Sequence, residues 1–255
     1  MPCCNRLLAS LLRGIPMWLF ATPFIDLFAG LQRTTARIGA HALPLLLAAC
    51  LAGWWLYVPL HELMHAWGAQ LSGATVTRLD IDAIYGARLM QRLFPYVHAG
   101  SAYAGQLVSF DTHGSDLAYA LTVFFPFVLS IALGIPMLVC ASQAAVPGVV
   151  STLLFGFALP MAWAPLLSIG GDFYELGAIA TSRTAALLGV DGRGWRGDDV
   201  IAVFGRSFGA AAFSWTDLPG VAISLLLGIV LAFATYAAGR GVASPFMRAA
   251  RPTPR

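Results

Sequence analysis

The sequence predicts an all-α polytopic membrane protein, a bundle of four to six transmembrane helices with a short membrane-associated β element. Three observations lead there. The chain is 58% hydrophobic and only 11% charged, where a soluble domain carries about a quarter charged residues. Residues 38–61 and 117–171 contain no Asp, Glu, Lys or Arg. One segment, 74–84, breaks with the helical pattern around it and alternates apolar with polar residues. No large soluble domain fits in such a composition.

The elements follow in chain order. Residues 14–31 are apolar but carry Pro16, Pro23 and Asp26, and read as a kinked span or as a helix lying in the interface. Residues 38–71 form one long span, ended by Gly73 as a helix C-terminal glycine should. In 74–84, Leu79-Asp80-Ile81-Asp82 has the period of a half-buried strand, with Thr75, Val76 and Thr77 before it. An ordinary loop is the alternative; as a strand, its exposed edge would accept an extended peptide as a further strand. The run 117–171 is 55 residues long, too long for one crossing of about 20. It divides near Gln143 to Gly148, where Pro147-Gly148 punctuates it, into spans at 117–141 and 148–169. Residues 172–190 continue the second of these past a Gly170-Gly171 kink, and 218–239 form the last span. That is four firm spans, with six allowed.

All 15 basic residues are Arg, and the net charge of +3 is no nucleic-acid signature. Arg6, Arg13, Arg33 and Arg37 cluster near the start, and Arg240, Arg248, Arg251 and Arg255 near the finish. The positive-inside rule then puts both termini in the cytoplasm, with an even number of spans. The four cysteines show no CxxC spacing. Cys50 and Cys140 read as buried small hydrophobes, Cys3 and Cys4 as part of a plain N-terminal tail. No small-x-small cleavage site follows the apolar run after Arg13, so no removable signal peptide is expected. A multi-pass protein of the bacterial inner membrane is the expectation.

The chemistry lies in His61-Glu62-Leu63-Met64-His65. Residues four apart share a helix face, so His61 and His65 can grip one metal ion. Glu62 then stands beside that ion, where it can take a proton from water. Paired membrane histidines are often structural, bonded to a neighbouring helix. Two considerations favour a metal here. The chain has only five His and two Glu, so HExxH is a rare accident. An ionisable group at a helix centre in the bilayer also costs about 2.5–3.5 kcal/mol on insertion scales for the expensive types.

Catalytic zinc takes three protein ligands, and the motif supplies two. The third is sought among Asp26, His41, His98, His113, Asp172, Glu175 and Asp217. Asp172 stands out because it follows Gly170-Gly171 and ends the charge-free run; Glu175, three residues on, shares nearly the same face. Glu175 would be the ligand itself or orient one. His98 and His113 sit among Gly100, Gly105 and Gly114 and read as solvated or structural.

The segment HELMHAWGAQLSGATVTRLDI, residues 61–81, resembles the site-2 protease family of intramembrane zinc metalloproteases. Gly73 and Val76 stand where that family has a glycine and the valine step of a following strand. The span order, with the motif helix first and an aspartate ending the third, fits as well. The resemblance implies that His61, His65 and Asp172 hold Zn2+ and that Glu62 is the general base. Two departures stand out: Met64 replaces a common Gly, and the aspartate follows Gly-Gly and precedes Phe173, where the family has an Asp-Gly step. On this reading residues 1–37 are an N-terminal interfacial or inserted segment and 38–190 the membrane-embedded metalloprotease core. Residues 191–255 add a loop, the final span and a basic tail.

The expected function is hydrolysis of peptide bonds in membrane-anchored protein substrates, with the lipid bilayer as surroundings and no nucleic-acid partner. The oligomeric state is left open. One alternative is a prenyl-peptide-type membrane metalloprotease using Glu175 as ligand. Another is an inactive or non-proteolytic metal-binding membrane protein, against which the intact Glu62 argues. A di-iron desaturase would need more histidines than five.

Overall fold

The computed structural model describes residues 17–143, 148–209 and 217–249. Cys3, Cys4, Arg6, Arg13, Pro16, Pro147, Arg251 and Arg255 lie outside these residues, as does the expected break at 144–147. Helix α1 (Trp18–Ile38) leads through a 3-10 turn (Gly39–His41) into α2 (Ala42–Leu71). The chain reverses there. Phe24 packs on Trp163 and Gly30 on Phe155, while Gly148 lies against Ile38. Along α2, Leu46 meets Gly156 and Gly53 meets Phe157. Helix α6 (Gly148–Leu167) therefore runs antiparallel to α1 and parallel to α2.

Helix α2 ends as glycine chemistry dictates. Gly73 adopts φ 87°, its N–H bonds to Gln70 O, and Ala74 N–H reaches back to Ala69 O. This left-handed closure satisfies carbonyls that the helix end would orphan. It turns the chain into β1 (Thr75–Ile81), which runs back alongside α2. Then come a 3-10 turn (Ala83–Tyr85), α3 (Ala87–Leu93), β2 (Val97–Ala99) and β3 (Gly105–Asp111). The sheet order is β2-β1-β3, with β1 parallel to β2 and antiparallel to β3. The strand expected at 74–84 is present, but it is central, with a neighbour on both edges. The outer strands, not β1, carry the free edges. The sheet buries Leu79, Ile81 and Val97 against Leu63 and Ala66 of α2, and Trp55 Nε1 donates to Ile84 O at 2.7 Å.

The expected span at 117–141 is broken. Helix α4 (Asp116–Phe124), capped by Ser115 accepting from Ala118 N–H, bends by 47° into α5. Helix α5 comprises Phe127–Leu129, a π-helical turn Ser130–Gly134 and Ile135–Gln143. Pro126 stands at the break, where a helix cannot continue its hydrogen bonds. Beyond α6, the chain passes Gly170-Gly171 into α7 (Asp172–Leu187), as expected for 172–190. A loop with a 3-10 turn (Arg193–Trp195) and α8 (Val200–Gly209) precedes α9 (Leu218–Ala249), which outruns the expected 218–239. Helix α9 lies antiparallel to α7, with Gly177 against Ser224 and Gly228 against Phe173. It lies parallel to α1, with Phe233 on Phe20 and Arg240 3.1 Å from Asp26. Cys50 and Cys140 are partly exposed rather than buried.

Three helical stretches are long and apolar enough to cross a membrane: Trp18–Leu71, Gly148–Leu187 and Leu218–Phe246. The bent α4–α5 pair makes a fourth if it counts as one span. The protein is thus mostly helical with a small three-stranded sheet, and by length and apolarity alone it offers three crossing stretches, or four with the bent pair.

Close approach of α7 and α9 has a testable consequence. A Cβ at Gly177 would overlap the Ser224 carbonyl and stand 3.1 Å from Gly228 N, backbone that cannot swing aside. Gly177→Val is expected to cost about 1–3 kcal/mol through overpacking, read as a lowered midpoint of thermal unfolding in detergent, with Ala238→Val at an exposed position of α9 as a milder comparison.

Candidate metal centre

Helical phase does the first part of the assembly. His61 and His65 project from one face of α2, and their Nε2 atoms lie 3.2 Å apart. Asp172, at the first position of α7, arrives from across the bundle: its Oδ2 is 3.5 Å from His61 Nε2 and its Oδ1 3.8 Å from His65 Nε2. One ligand atom from each residue can be chosen so that all lie within 4.8 Å of one another. Donors about 2.0–2.1 Å from a tetrahedral zinc ion stand roughly 3.3 Å apart, so the spacing fits such an ion with small adjustments.

Each of the three is tied from its outer side. His65 Nδ1 lies 2.9 Å from the Thr122 carbonyl, which only accepts, so the Nδ1 nitrogen carries the proton. In the neutral ring this leaves a lone pair on Nε2, facing the Asp172 oxygens. His61 Nδ1 lies 2.8 Å from the Tyr57 hydroxyl. Ser168 donates to Asp172 Oδ2 at 2.7 Å. Outward bonds of this kind orient metal-binding imidazoles and carboxylates. With the lone pair of His65 and the carboxylate of Asp172 turned toward one point, the donor set suits a cation.

Glu62 is half-buried and makes no hydrogen bond to any described residue. Gly105, at the start of β3, packs so closely on it that a Cβ there would overlap the Glu62 side chain. The small sheet therefore backs the motif glutamate. A cavity of about 240 Å³ opens beside it, lined among others by Tyr57, His61, Glu62, Ala104 and Ser168.

The remaining candidates go elsewhere. Glu175 is buried, accepts a hydrogen bond from Tyr119 and is not part of the His61–His65–Asp172 group. Asp26 is buried between α1 and α9, with Tyr236 donating to it and Arg240 beside it. Asp217 accepts from Trp195 Nε1 at 3.0 Å. His41 is exposed in the 3-10 turn, and His98, also exposed, stands opposite Asp80 in the β1–β2 register. His113 is exposed at φ 51°, beside Asp111. Sequence reasoning missed Tyr57, Ser168, Thr122 and Gly105. Tyr57 and Ser168 each precede their ligand by four residues, a helix-face signal that was open to reading.

Comparison of the chain with protein-family models, with curated proteins and with solved structures finds no match in any of the three.

The geometry separates Asp172 from Glu175. Asp172→Ala is expected to abolish stoichiometric zinc binding by the detergent-purified chain, whereas Glu175→Ala retains about one equivalent. Tyr57→Phe, which removes only the outward partner of His61, should weaken zinc affinity by about 10–100-fold. Elemental analysis and competition with a zinc-binding dye read both effects.

Proposed function

We propose that this protein is an intramembrane zinc metalloprotease acting on membrane-anchored protein substrates. The observation that carries the reading is the convergence of His61, His65 and Asp172 on one point, with an unengaged glutamate beside them. The resemblance of residues 61–81 to the site-2 proteases supports the same assignment of roles.

When bound, a zinc ion supplies Lewis acidity toward a scissile carbonyl and lowers the pKa of water toward ~7. The protein's own groups supply the rest. His61, His65 and Asp172 hold the ion, while Tyr57, Thr122 and Ser168 hold those ligands in place. Glu62 accepts a proton from water as the water oxygen bonds to the carbonyl carbon, then delivers it to the nitrogen as the C–N bond breaks. A helical substrate hides its carbonyls in i→i−4 bonds, so it must enter extended. The free edge of β3, whose first residue touches Glu62, is the strand beside the cavity and suits pairing with such a segment.

Counted by direction, α1, α2, the bent α4–α5 pair, α6–α7 and α9 make five crossings on this reading. On that count the start of α1 and the end of α9 would lie on opposite faces, whereas the arginine clusters predict an even number of spans. The prenyl-peptide alternative loses ground because Glu175 is engaged by Tyr119.

The decisive variant is Glu62→Gln. It should keep its zinc yet lose at least about 100-fold in peptide hydrolysis, the lower end of what a positioned base contributes. The assay is cleavage of a single-span reporter in reconstituted vesicles. Retention of full activity in the Gln variant would remove the mechanism.

A further inference from the structure

The carbonyl that orients His65 is available because of a residue four positions further along its own chain. In a continuous α-helix the Thr122 carbonyl would accept from the N–H of residue 126. Residue 126 is proline, which has no N–H. The neighbouring donor, Phe125 N–H, is spent on Leu121 O at 3.0 Å. Thr122 is 2% exposed, so a partner must come from the protein. The partner is His65 Nδ1.

A separate feature brings the ring within reach. Gly68, one turn beyond His65, lets α2 close on α4: a Cβ there would stand 2.5 Å from Phe125 Cβ and 2.9 Å from Leu121 O. Helix contact and vacant carbonyl therefore coincide at the same level of the bundle. Were residue 126 to carry an N–H, it would compete with His65 for Thr122 O. The imidazole would then be free to place its proton on Nε2, the atom that faces Asp172.

We infer that Pro126 is a positioning residue for the metal centre. By withholding an N–H it reserves the Thr122 carbonyl for His65, and so fixes the tautomer that presents an Nε2 lone pair to the ion. The inference rests on the reading of His65 as a metal ligand, yet its first readout needs no metal.

The test uses the full chain in detergent micelles with 15N-labelled histidine rings, where two-bond 1H–15N correlations distinguish the Nδ1–H and Nε2–H forms. Wild-type protein is expected to show His65 as Nδ1–H. Pro126→Ala should show a population of Nε2–H and bind zinc about 10–100-fold more weakly. Because the substitution could also relax the 47° bend, a second variant carries lactate at position 126. Its ester linkage lacks both the N–H and the pyrrolidine ring, and it is expected to restore the wild-type tautomer and affinity. An unchanged His65 tautomer in Pro126→Ala overturns the inference, as does a lactate variant that behaves like alanine. A chain that binds no zinc but whose tautomer follows this pattern would sink the metal reading alone and leave the positioning role standing.

Discussion

Everything at the centre follows from the need to pair polar atoms where water is scarce. In an apolar bundle an unpaired N–H, carbonyl or carboxylate is costly. The protein answers by tying each group from behind: His61 to Tyr57, His65 to the Thr122 carbonyl, Asp172 to Ser168. What those outer bonds leave over is turned inward. Two ring nitrogens and a carboxylate then share one small volume, which is the arrangement a cation would stabilise.

That arrangement draws on helices far apart in sequence, and small residues make the distances possible. Gly68 admits α4 to α2, Gly53 and Gly156 let α2 and α6 meet, and Gly177 and Gly228 let α7 and α9 touch backbone to backbone. If these helices lie in lipid, as proposed, apolar side chains gain little from protein over membrane, and close backbone packing carries the association. A second fastening comes from the loop after α7. Arg196 makes a two-pronged pair with Asp116 at 2.6 and 3.0 Å, holding the start of α4, and its Nε donates to Ser182 of α7. Buried Trp195 anchors the same loop through Tyr174 and Asp217. Since α4 presents Thr122 to His65, this outlying ion pair bears on the orientation of the motif histidine.

The sequence made the motif legible because helix periodicity is local: His61 and His65 had to share a face, and Glu62 had to miss it. Asp172 was legible for a different reason, as the first charge after 55 residues without one. The alternation at Leu79 to Asp82 likewise announced β1. What stayed hidden depends on partners distant in the chain. Val97–Ala99 is too short to show a period, and β3 declares itself only by pairing with β1. Asp26 looked like a kink in a doubtful span, yet it is the buried partner of Arg240 and Tyr236, more than 200 residues on. Pro126 lay unremarked inside the expected span at 117–141, and the use made of the Thr122 carbonyl it leaves vacant could not be read, since that requires knowing which helix lies alongside.

The two glutamates of the chain show why position in a motif and freedom to react have to be judged together. Glu175 lies in the bundle, three residues from a proposed ligand, and by composition it is as plausible a catalytic group as any. Its carboxylate, however, is already bonded to Tyr119, and moving a proton through it would first require breaking that bond. Glu62 has no such engagement among the described residues. Its side chain is held instead by steric contact with Gly105, which confines the chain without occupying the oxygens. A general base needs this combination, because its oxygens must be free to receive a proton while its stem is not free to wander. The small sheet is therefore more than a surface for a substrate strand: on the proposed reading, by pressing a glycine against Glu62, it aims the carboxylate into the cavity that opens beside His61.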